Sequence, residues 1–187
     1  MCFTLEGKII AMKRLIAAAL FSAAISVLFS IPAAAQNTRT FSLSQGATIA
    51  PASPGFDPSG ATTYFGGLVA GQVAGTAPSM FTLSVAFRST GVIDQAAGVY
   101  GGEILSPYSS FAVTEASGRK SVSTSGTIDG GTVTYRLTAD GRAEIISVVS
   151  GNLTVWEGKN KRRTAVGYGT LDYGTSAEGA GTIVLYF

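Results

Sequence analysis

The stretch SVSTSGTIDGGTVTYRLTADGRAEIISVVS, residues 121–150, continued by GNLTVWEGK as far as Lys159, decides the fold. Three dividers, Asp129-Gly130-Gly131, Asp140-Gly141 and Gly151-Asn152, break it at eleven-residue intervals. Gly and Asn accept positive φ, so each divider suits the tight primed turns whose twist matches that of paired strands. Short strands of similar length between such turns make an antiparallel meander. A two-residue turn at Asp140-Gly141 sets Leu137 opposite Glu144, Tyr135 opposite Ile146 and Val133 opposite Val148. One at Gly151-Asn152 sets Val148 against Val155 and Ile146 against Glu157, and one at Gly130-Gly131 sets Ile128 against Val133 and Gly126 beneath Tyr135. The apolar residues then share one face, which a one-residue slip would scatter. Ile145 and Val149 are the exceptions on the Ser/Thr face.

Downstream, Ala165 to Tyr173 and Gly179 to Phe187 read as a hairpin, with Gly169 opposite Ile183 and a last strand that is apolar on both faces. Upstream, Phe81, Leu83, Val85 and Phe87 alternate with Thr82, Ser84, Ala86 and Arg88, the period of a half-buried strand. Val99–Leu105 and Ser110–Thr114 form two short strands around Pro107, and Arg39–Ser44 one more. Ala50 to Gly60 carries Pro51, Pro54 and Pro58 and reads as a loop, since proline offers no ladder donor. The Gly-rich 61–75 reads as a bent strand pair. Nothing after the leader repeats with a helical period. The expected fold is all-β, with ten or more strands in an up-and-down meander closing into a β-barrel, a β-sandwich being the alternative.

The amino terminus reads as a leader. Met12-Lys13-Arg14 precede an apolar run, Leu15 to Ile31, and Ala33-Ala34-Ala35 form a small-residue cleavage site before Gln36. Residues 1–35 are therefore set aside as an extension plus signal peptide, with translation starting at Met12. Residues 36–60 follow as a Pro/Ser/Gly-rich segment and 61–187 as a single β domain. Removing 35 of the 187 residues leaves 152, with ten basic and ten acidic side chains and 23 of the 24 glycines. That glycine content is about twice the usual ~7%, and turns, bulges and sharp bends consume such an excess. Zero net charge gives no electrostatic basis for nucleic-acid binding. The lone cysteine, Cys2, leaves with the leader, so the remainder forms no disulfide; its length supports a core without one.

The chain has no histidine. With no cysteine beyond the leader either, Ser-His-Asp and thiolate chemistry and ordinary zinc sites are excluded; no motif calls for a cofactor, a metal or a catalytic residue. Carboxylate chemistry survives, and Glu144 and Glu157, which the turns above bring close on one face, are its candidates. Lys159, Lys161, Arg162 and Arg163 form the one dense charge cluster, on a hairpin tip, suited to the phosphates of a membrane surface or to an acidic glycan. Trp156, the only tryptophan, together with Tyr64, Tyr100 or Tyr168, suits stacking on sugars. The expectation is an exported, periplasmic or extracellular, non-enzymatic β protein binding an apolar small molecule, a glycan or another envelope component. The alternatives are an integral outer-membrane β-barrel, with the apolar face turned to lipid, and a carboxylate-dependent enzyme.

Overall fold

The computed structural model describes residues 37–56, 63–75, 78–117, 120–158, 163–176 and 179–187; the proposed leader lies outside them. These residues form strands and no helix. The strands are β1 (Thr38–Phe56), β2 (Thr63–Val73), β3 (Ser79–Asp94), β4 (Val99–Ile104) and β5 (Ser110–Ser117), then β6 (Lys120–Ile128), β7 (Thr132–Leu137), β8 (Ala143–Glu157), β9 (Thr164–Tyr173) and β10 (Gly181–Tyr186). All ten belong to one antiparallel sheet. Eight close into a ring in the order β1, β2, β3, β5, β6, β8, β9, β10 and back to β1.

The two remaining strands extend the wall. β4 lies beside the second half of β3 and β5 beside its first half, so β4 and β5 are two pieces of one interrupted strand. In the same way β6 and β7 run end to end along β8 and keep one register across the break: Ile128 pairs with Leu153 and Thr132 with Val149. Registered partners followed from Thr38 through Tyr186, Tyr168, Thr154, Thr127, Ser110, Ser84 and Leu68 return to β1 at Ala50, twelve residues further along. A ring of tilted strands requires such a stagger.

Two of the three turns expected in the central stretch are not turns. Asp129-Gly130-Gly131 separates β6 from β7 without reversing the chain, Gly151-Asn152 lies within the continuous β8, and the two face each other, with the Asp129 N–H donating to the Asn152 carbonyl at 2.8 Å. Ile128 thus lies beside Leu153 rather than Val133. The physical reason is length: long strands are needed to cross a tilted wall, and glycines at positive φ (Gly130 +144°, Gly131 +128°) bend such strands as well as they reverse them. The third turn, at Asp140-Gly141, is present. Val133 faces Val148 as expected, but a bulge at Thr134/Tyr135 pairs Tyr135 with Ile145, Arg136 with Glu144 and Leu137 with Ala143. Ile145 consequently points inward and is buried, while Val149 stays outward.

The carboxy-terminal hairpin forms two residues out of the expected register, with Ile183 on Leu171 and Leu185 on Gly169, a shift that preserves the faces. The proline-bearing stretch is strand, not loop, through Phe56, and 63–73 is one strand, not two. Its prolines are tolerated because that part of β1 has a full partner, β2, on one edge only; on the other it meets β8 at the single pair Ala52–Ala143.

Inside the ring lies the core: Phe41, Leu43, Val69, Phe81, Leu83, Phe87, Phe111, Val113, Ile128, Leu153, Leu171, Tyr173, Ile183 and Leu185 among others, all nearly inaccessible. Toward the β4–β7 end it is aromatic: Tyr135 packs against Phe65, Phe87 and Tyr100 with ring centroids 5.0–5.5 Å apart, and its hydroxyl donates to Ser89 Oγ at 2.8 Å. Aromatics of this bulk need small neighbours beside them. Phe111 lies against Gly126, Phe87 against Gly102, and Phe81 with Tyr173 against Gly46. An aromatic therefore does cover Gly126, but it is Phe111 rather than Tyr135. Much of the glycine excess serves this interior packing as well as turns. Outward positions are largely Ser and Thr, such as Thr40, Ser42, Ser84, Ser110, Thr114, Ser123 and Thr170, all exposed.

Candidate functional site

The outer face of β8, β9 and β10 gathers the side chains best suited to a ligand. Even-numbered positions of β9 and β10 point away from the core, as do those of β8 from Leu153 onward, so Thr154, Trp156, Tyr168 and Tyr186 share one surface. Register sets Thr127, Thr154, Tyr168, Tyr186 and Thr38 in a row across five strands. Tyr168 and Tyr186 stack, with centroids 5.0 Å apart and planes at 25°, and Tyr168 is 54% exposed. Trp156 stands one step along β8, half buried, its Nε1–H donating to Thr127 Oγ1 at 3.1 Å. The neighbouring Thr154 hydroxyl donates to the Asp129 carboxylate. Both bonds fix outward side chains from β6 and from the β6–β7 interruption, so the straight run of that strand pair builds this surface.

Arg163, just before β9, is exposed and sits over the Trp156 ring, 5.9 Å from its centroid, within cation–π range. Glu157 pairs with Thr164, so β8 and β9 are antiparallel neighbours up to that pair. The other cations of the sequence cluster, Lys159, Lys161 and Arg162, lie outside the described residues.

The proposed carboxylate pair is not formed. Without a turn at Gly151-Asn152, Glu144 and Glu157 stand near opposite ends of β8, separated by roughly 40 Å of strand at ~3.3 Å per residue. Glu144 instead faces Arg136, with nitrogen and oxygen 4.0 Å apart, and Glu157 is exposed. Of the tyrosines considered beside Trp156, only Tyr168 shares its surface. Tyr100 stacks on the buried Tyr135, and Tyr64 pairs with Arg88 across β2 and β3. Tyr186 was missed because the last strand, apolar on both faces, reads as doubly buried; its partner ring emerges only from the true register.

Depressions on the described surface include the following pair. One of about 430 Å³ lies between the start of β1 and the adjoining ends of β2, β3 and β5, and is crossed by an ion pair between Arg39 and Glu115. The other, about 350 Å³, is a shallow outer groove over β1, β2 and β3 with Tyr108 at its edge. Among the described residues no group of carboxylates, histidines or cysteines is arranged to hold a metal. Known protein families, curated proteins and solved structures offer no match to this chain.

Proposed function

We propose that this is an exported, non-catalytic β-barrel that binds an acidic glycan of the cell envelope on its outer β8–β10 face. The observation that carries the reading is the exposed Tyr168 ring, stacked on Tyr186 and set in a row of hydroxyls beside Trp156 and Arg163. An aromatic face is electron-rich and attracts the weakly positive C–H face of a pyranose, while Thr and Asp groups take its hydroxyls and a guanidinium takes a carboxylate or sulfate. Such rings cost little conformational entropy to order. The eight-strand ring with its twelve-residue stagger supports a closed barrel. Its filled interior favours a ligand outside over an apolar molecule inside, and its Ser/Thr exterior favours an aqueous setting over a lipid one. Export rests on the leader pattern at residues 12–35.

Affinity electrophoresis through gels containing polygalacturonate, and separately through gels containing a neutral glucan, tests the proposal. Polygalacturonate is expected to retard the protein, with Tyr168→Ala and Trp156→Ala weakening retention about tenfold, a loss of about 1.4 kcal/mol each. Arg163→Gln should weaken retention in the acidic gel alone. Unchanged migration of the wild type in both gels, or equal retention of all variants, would overturn it.

A further inference from the structure

We infer that the notch at the β1–β5 end of the ring is a second binding site, for a small zwitterion with an apolar body, such as a free hydrophobic amino acid. The β1–β2 register begins only at Leu43 and Val73, so β1 runs on past the end of β2 toward Thr38 and a notch opens beside it. Its volume of about 430 Å³ falls within the range of small-molecule sites, roughly 300–1,000 Å³. Phe41 and Val73 line its apolar side, with Ala74 and Ala116 at the walls.

Across it, Arg39 of β1 reaches Glu115 of β5, a pair joining strands separated in the ring by β2 and β3. Arg39 lies two residues from Phe41 on the same strand face and over its ring, 5.2 Å from the centroid. The notch thus presents one guanidinium and one carboxylate of opposite sign in a mainly polar lining, with Phe41 and Val73 as a small apolar margin. Each remains partly exposed, 42% and 33% accessible. An ion pair this exposed contributes little by itself, so separating it costs little.

A zwitterion restores both contacts on entry. Its carboxylate takes the planar fork of Arg39, which suits two parallel N–H···O bonds, and its ammonium takes Glu115. Charge is conserved in the exchange, a forked contact at Arg39 and a second contact at Glu115 replace one contact between them, and the apolar margin of Phe41 and Val73 favours an apolar side chain on the ligand. A ligand with only one of the two charges would leave Arg39 or Glu115 unpaired against it, so the site selects for both.

Heteronuclear NMR titration of the wild-type protein with L-phenylalanine and L-leucine reads this directly. Saturable shifts are expected at Arg39, Phe41, Val73 and Glu115, with binding at least tenfold weaker for N-acetyl-L-phenylalanine and for L-phenylalanine amide, each of which lacks one charge. Glu115→Gln and Arg39→Gln are each expected to weaken L-phenylalanine binding at least tenfold. Should either variant fold poorly, the capped ligands still decide the matter on the unaltered protein. No saturable shift at millimolar amino acid, or capped ligands binding as tightly as the free one, would overturn the inference.

Discussion

Gly126 shows how the interior sets its own composition. A Cβ there would lie 2.1 Å from the Thr154 carbonyl oxygen and 2.5 Å from the Phe111 ring, and the carbonyl is backbone that cannot step aside. Gly126→Ala is expected to destabilise the fold by about 2–3 kcal/mol, within the usual range for overpacking, as a lower urea midpoint at unchanged slope. Gly66 has open space around its Cβ position, so Gly66→Ala should be neutral or gain about 0.5 kcal/mol by restricting the unfolded chain. Asp140 sits in the turn between β7 and β8. The Thr138 hydroxyl donates to its carboxylate, and Arg142 adds a hydrogen bond and a positive charge, together outweighing desolvation, which acts the other way, and holding its carboxyl below the usual range. Because the folded pKa is the lower one, the stabilisation is fully present above the ordinary Asp range and is lost as pH falls through the depressed value. Carbon-detected NMR titration should give Asp140 a midpoint below that of Asp in an unstructured peptide, and Arg142→Ala should move it up. At this scale the sequence was informative where alternation was clean: Phe81, Leu83, Val85 and Phe87 are all buried. It was silent on Arg39 with Glu115, 76 residues apart, because only ring closure brings them together.

The element scale is where reading and structure part. Asp129-Gly130-Gly131 and Gly151-Asn152 carry the residues of reversing turns, and the residues alone do not distinguish a reversal from a bulge. Nearest-neighbour pairing within a meander is the simplest assumption, and it folds the chain back at each divider. The competing physics is that the ring needs strands as long as β8, 15 residues, to cross a tilted wall and meet several partners in succession. β8 pairs with β7 at one end, β6 at the other and β9 along most of its length, so Gly151-Asn152 stands in it as a register shift against β9 between Ser150 and Leu153 and not as a reversal. The expected turn at Gly151-Asn152 places Glu157 beside Glu144, and the two-residue difference in the β9–β10 register hides the pairing of Tyr168 with Tyr186. Where β1 meets β8 the ladder thins, and a side chain substitutes for backbone: Thr48 Oγ1 accepts from the Ile145 N–H at 3.0 Å and donates to the Ile145 carbonyl at 3.1 Å. Thr48→Val keeps the shape and removes both bonds, leaving a partly buried peptide group unpaired. The expected cost is about 1–3 kcal/mol, with amide exchange at Ile145 accelerated more than at Phe111 on the far side of the ring.

For the whole molecule, closure of the ring assigns the faces. The amino-acid pattern established that the sheet is two-faced, yet one strand pattern serves a packed core or a lipid-facing wall equally well. The buried set, with Phe81, Phe87, Leu83, Val69 and Ile183 fully inaccessible, puts the apolar face inside. Among the described residues the exterior carries Trp156, Tyr168 and Tyr186 together on β8, β9 and β10, and Tyr108 between β4 and β5. The most direct test is a two-dimensional ¹H–¹⁵N NMR titration of the isotope-labelled protein with an oligogalacturonate. Shifts confined to the Trp156 indole N–H and the amides of Thr154, Tyr168 and Tyr186, with Leu83, Phe111 and Ile183 unmoved, are the predicted result. Shifts centred on those inward residues, or none anywhere, would contradict it.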